Sequence, residues 1–110
     1  MASQARGGVF LSQYQALFPV FVPDAVNNAQ LAVSNGASSR VALPTTSPII
    51  RVHTTGDVFL IFGNSAVDAA TTSMPHAAGA EYYGVPEGAT HLAAWGDGAA
   101  STLTVTPMAV

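Results

Sequence analysis

The chain has 110 residues, a size typical of one domain, and carries three arginines, six acids, no lysine and no cysteine, for a formal net charge of −3. The missing cysteine excludes disulfides and thiolate metal sites, and a net negative chain with no basic run argues against binding to a phosphate backbone. Only 8% of residues are charged, against about 25% in ordinary soluble domains, so the composition points to a component of an assembly with much of its surface against other protein.

The first stretch, residues 9 to 22, is partly apolar, but Gln13, Gln15 and Pro19 interrupt it. It lacks a basic leader and an A-x-A cleavage site, and no run approaches the ~20 apolar residues of a membrane span. The expectation is a chain neither secreted by this route nor embedded in a membrane. Residues 17 to 22 read as extended, with Pro19 confining them to an edge strand or an arm. Strands are expected next at residues 30 to 34 and 39 to 43.

The clearest pattern follows. In residues 49 to 54, Ile50, Val52 and Thr54 share one face, with Arg51 and His53 opposite. Residues 58 to 62 are a continuous β-branched and aromatic run. Thr55, Gly56 and Asp57 between them predict a hairpin, with Gly56 free to take positive φ. Residues 64 to 80 are rich in small residues and predict a crossing loop, with a short helical turn near residues 66 to 70. A second meander is expected from residue 81 onward. Its strands are separated by the Pro86-Glu87-Gly88 and Gly96-Asp97-Gly98 turns. In the last strand Leu103 and Val105 face one way and Thr102, Thr104 and Thr106 the other, until Pro107 ends the ladder. Seven or eight such strands predict an all-β, antiparallel β-sandwich of jelly-roll or Greek-key type. Residues 1–22 are expected to form an arm or edge strand, and residues 23–110 the sandwich.

Signals for chemistry are weak. His53, His76 and His91 lack metal-ligand spacing and read as polar surface or loop histidines, although neighbouring strands can still bring His53 and His91 together. There is no nucleophile elbow, phosphate loop or dinucleotide fingerprint, and the six acids are scattered. The expectation is therefore no catalytic residue, no cofactor, no metal and no enzyme. The aromatics carry more. Phe10, Tyr14, Phe18 and Phe21 crowd the start of the chain. They are either core of a first strand or, together with Arg6, anchors that dock into a partner. Tyr82, Tyr83 and Trp95 are core or contact residues, or the platform of a sugar-binding module.

Three stretches resemble small virion proteins of tailed bacteriophages. They are Arg51 through Gly63, Val85 through Ala94, and Leu103 through Pro107. A strand pair ending in Phe62-Gly63, a small-residue loop, a proline-x-glycine turn and a threonine-rich last strand carry the likeness, over roughly residues 49 to 107. The resemblance implies a capsid decoration (cement or staple) protein with a jelly-roll sandwich. Such a protein binds major capsid protein on the outside of the shell, commonly as a symmetric dimer or trimer, and stabilises the shell non-covalently. It implies assembly onto the virion after synthesis in the host cytoplasm, with no nucleic acid or membrane partner. The alternative is a carbohydrate- or receptor-binding module of a phage tail or fibre. Formal charge is +2 through Arg51 (three Arg, one Asp) and −5 thereafter. That asymmetry predicts an arginine-bearing first half turned to the shell and an acidic sandwich turned to neighbours and solvent.

Overall fold

Alternating apolar and polar residues resolve into two stacked antiparallel sheets. The computed structural model describes residues 22–23, 27–44 and 48–109, and contains no α-helix among them. In chain order the strands are β1 (Val22–Pro23), β2 (Ala29–Val33), β3 (Ser38–Ala42), β4 (Ile49–Thr54) and β5 (Val58–Gly63). They continue with β6 (Met74–His76), β7 (Gly79–Gly84), β8 (His91–Gly96) and β9 (Ser101–Ala109). The first sheet runs β2-β9-β4-β7, with β1 on the same flank of β9 as β2 but farther along it; the second runs β3-β8-β5-β6.

The expected inner faces of β4 and β9 are those observed: Ile50, Val52 and Thr54 are buried, as are Leu103 and Val105, but Thr106, expected on the polar face, is buried as well. In the continuous apolar run of β5, Val58 and Leu60 are the buried residues. With Val33, Leu92 and Ala94 they form one core between the sheets. Each large aliphatic side chain there contributes roughly 1.5–3 kcal/mol by leaving water. Thr54 puts a hydroxyl into that core with no hydrogen-bond partner among the described residues, a desolvation cost that valine would avoid.

The expected pairings differ from those observed. Residues 55–57 do not close a hairpin: β4 lies between β9 and β7, and β5 lies in the other sheet between β8 and β6. Gly56 is not at positive φ among the described glycines. It lies where a Cβ would sit 3.6 Å from that of Ser101. Its N–H donates to Ser101 Oγ (3.0 Å), and Thr55 Oγ1 accepts from Thr102 N (2.9 Å). The chain thus turns a corner at the end of the sandwich, where β9 begins. The second meander is absent for the same reason, since β7, β8 and β9 alternate between sheets. Only β5 and β6 are both consecutive and paired.

Three smaller expectations also change. The stretch 64–73 holds two tight turns in place of a helical turn, closed by Val67 N to Asn64 O (3.1 Å) and Ser73 N to Ala70 O (2.9 Å). Its continuation supplies β6. Pro107 lies inside β9, opposite Ile50, rather than ending it. On the other flank of β9 that position falls between the last β2 pair, Ala29 with Val105, and the first β1 pair, Pro23 with Met108. A missing N–H is tolerated at such a break. Finally, Gly96, expected as a turn residue, ends β8 at a close approach: a Cβ there would lie 2.9 Å from Ser34 C and 3.0 Å from Ala99 O.

Candidate interaction surfaces

Three places on the sandwich gather polar or aromatic side chains: the outer face of each sheet, and the edge where β6 and β7 meet.

Strand alternation places Gln30 and Ala32, then Thr102 and Thr104, then Arg51 and His53, then Ala80 and Tyr82 on the outside of the first sheet. Register aligns Gln30, Thr104, His53 and Ala80 in one row, and Thr106, Arg51 and Tyr82 in the next. Tyr82 is 60% exposed. Arg51 is the one formally charged side chain in these two rows. Thr106 is itself buried, and the rest forms a nearly uncharged face of threonine, glutamine and small residues.

The outer face of the second sheet is covered over β3 and β8, while Ile61 of β5 stays 39% exposed. Residues 64–73 leave β5 at Gly63, cross β8 and reach β3. Val67 sits so close over Gly63 that a Cβ there would fall 2.7 Å from the Val67 side chain. Ala69 N donates to Ser38 Oγ (2.8 Å), and Arg40 Nη1 donates to Val67 O (3.3 Å) and Asp68 Oδ1 (3.2 Å). Ala93, beneath, is on the outward side of β8 yet 0% exposed. An alanine leaves room for the loop to lie flat.

At the third place, β6 and β7 are the edge strands of opposite sheets. His76 Nδ1 lies 2.6 Å from Tyr83 Oη and its Nε2 lies 3.2 Å from Gly79 O. A carbonyl only accepts, so Nε2 carries the proton, and in the neutral ring Nδ1 accepts the tyrosine O–H. Burial, and secondarily the nearby Glu81 carboxylate, push the Tyr83 hydroxyl above its ordinary value and keep it a donor. The Tyr83 ring also meets Phe62 edge-on, with centroids 6.5 Å apart. The pair joins the two sheets at an otherwise open side. Sequence reasoning missed it: His76 was expected at the surface and is buried. Its neighbours Met74, Pro75, Ala77 and Ala78 carry no strand period that would have signalled this.

The other expected residues scatter. His53 is on β4 and His91 on β8, in different sheets, so strand pairing does not bring them together. Among the described residues no three His, Cys, Asp or Glu side chains gather in a metal-sized group. Also among these residues, no helix is long and apolar enough to cross a membrane. Tyr82 points out of the first sheet, Tyr83 into the core rim and Trp95 out of the second sheet, so the three share no platform. Arg40 and Arg51 lie on opposite outer faces, and strands from both halves of the chain interleave in each sheet. Among the described residues, the charge asymmetry along the sequence is therefore not a division in space. The partner-contact residues Arg6, Phe10, Tyr14, Phe18 and Phe21 lie outside the described residues; of the segment 1–22, only Val22 is described, pairing with Ala109. No family model, no curated protein and no solved structure matches this chain.

Proposed function

We propose that this chain is a structural virion protein that binds the outer surface of a bacteriophage capsid and stabilises the shell through non-covalent contacts with major capsid protein. The observation that supports this best is the outer face of the first sheet. It is wide, stiffened by pairing across β2, β9, β4 and β7, and almost free of formal charge. A face of that kind suits a large contact, where stability comes from area and fit rather than from a few ion pairs. We read the strand order β2-β9-β4-β7 over β3-β8-β5-β6 as that of an eight-stranded jelly roll, in keeping with the resemblance. Such a role calls for contact area and symmetry and for no reacting group.

The test is co-sedimentation of the purified chain with capsids that lack it. Saturable binding in numbers comparable to the shell subunit is expected, with shells surviving higher temperature when coated. Deleting residues 1 to 22 is expected to lower occupancy while the far-ultraviolet circular dichroism stays that of a β protein. Absence of binding, or a handful of copies per particle, would remove the decoration reading; unchanged occupancy of the truncated chain would remove the role of the first segment.

A further inference from the structure

Sheet edges expose unpaired backbone groups, and natural proteins guard them with charge, proline or short length. Four of the five described edge strands do so; β1, on the same flank as β2, is two residues long and contains Pro23. β3 carries Arg40, β7 carries Glu81, and β6 is three residues long with Pro75 at its centre. β2, with the sequence Ala29-Gln30-Leu31-Ala32-Val33, has no charge and no proline, and it pairs without a bulge along its whole length with β9.

The free backbone groups follow from the ladder. Thr55 N donates to Thr102 O (3.1 Å), so Thr102 turns its main-chain groups toward β4. By alternation Ser101, Leu103 and Val105 turn theirs toward β2, where Ala29, Leu31 and Val33 meet them. The N–H and C=O of Gln30 and Ala32 therefore point away from the sheet. On the inner side of the same edge Leu31 and, across the gap on β3, Val41 are only partly buried while packing against the core.

We propose that β2 is a dimerisation edge, where a second copy of this chain adds its own β2 antiparallel and continues the first sheet across a two-fold axis at Leu31. The occupant is a second copy because the strand is complementary to itself. An axis at Leu31 sets Gln30 opposite Ala32 of the second copy and Ala32 opposite its Gln30. Those are the two residues with outward N–H and C=O groups, so each pair exchanges two backbone hydrogen bonds. The two Leu31 side chains meet on the core side, and the absence of charge leaves no like-charged residues facing each other. The outer faces of both first sheets then lie on one side of the dimer. This inference rests on the edge alone and stands whether or not the chain coats a capsid.

Sedimentation equilibrium of the full chain is expected to give twice the 11.2 kDa mass of one copy. Ala32→Pro removes an N–H that β9 does not use, so it is expected to halve the mass while the chain stays folded. Charge provides a second route that does not depend on proline. Gln30→Lys with Ala32→Lys, and Gln30→Glu with Ala32→Glu, are each expected to be monomeric and to form a mixed dimer when combined. A wild-type chain that is monomeric at every concentration overturns the proposal. So does a dimer that persists in all these variants. Amide protection of Gln30 and Ala32 that appears in a monomer only when capsids are added would give the edge to a strand of another protein, and overturns it as well.

Discussion

The two outer faces of the sandwich are built on the same strand period and finished in opposite ways. On the second sheet the chain folds back over its own strands. Arg40 is engaged with Val67 and Asp68, and Ala93 is sealed under the loop. On the first sheet no described loop crosses the rows of Gln30, Thr102, Thr104, His53 and Ala80. Among the described residues, a cation and a loop spent within the fold cover the β3–β8 part of one face, with Ile61 of β5 left 39% exposed beside it, and the small neutral side chains of the other face lie uncovered. Low charge therefore means different things on the two sides. Beneath the loop it permits close packing; on the bare face it lowers the cost of removing water from a large contact.

The sharpest way to break this contrast is to enlarge one residue on each face. Ala93→Leu forces side-chain volume under the loop and is expected to cost about 1–3 kcal/mol, read from the urea midpoint. Thr104→Leu, on the open face, is expected to stay within about 0.5 kcal/mol. Equal costs would mean that the loop does not rest on the second sheet.

Those two positions also mark how far the sequence is legible. Thr104 sits in a clean alternation, and the alternation of β4 and of β9 as far as Val105 survives, because burial on one face imposes period two whichever strand lies alongside. Pairing leaves no such trace. Thr54 and Val58 each face the core from a different sheet, and a three-residue link suits a hairpin and a corner equally well. Ala93 gave no hint of its cover, since an alanine in a strand records neither exposure nor burial. The same is true of His76, whose role depends on Tyr83 in the opposite sheet.

That histidine supports the second prediction, because the contrast between faces assumes that the two sheets move as one body. Tyr83→Phe keeps the ring against Phe62 but leaves His76 Nδ1 buried without its donor, so a loss of about 1–2 kcal/mol is expected at neutral pH. The same variant has a signature in alkali. The folded state holds the Tyr83 hydroxyl protonated above its ordinary value of 10.0, while the unfolded chain releases the proton there. The tyrosine's contribution is thus complete below that value and declines as pH rises toward the folded one. Wild-type stability should fall more steeply than that of Tyr83→Phe above pH 10, and parallel curves would count against the burial that shifts it.

The smallest effect tests whether the cover is laid on the sheet or is part of it. Arg40 and Asp68 are 43% and 73% exposed, so their ion pair is worth at most about 0.5 kcal/mol to global stability. Arg40→Gln should scarcely move the unfolding midpoint. It does remove the donor to both Val67 O and Asp68 Oδ1, which leaves Ala69 N to Ser38 Oγ as the nearest remaining tie. Hydrogen exchange at Ala69 is then expected to quicken severalfold through local opening. Exchange at Ala93 should not change, because its strand is held between β3 and β5 whether or not the loop is down. If both amides quicken together, loop and sheet open as one unit, and the closed face is a property of the whole second sheet rather than of ten residues folded across it.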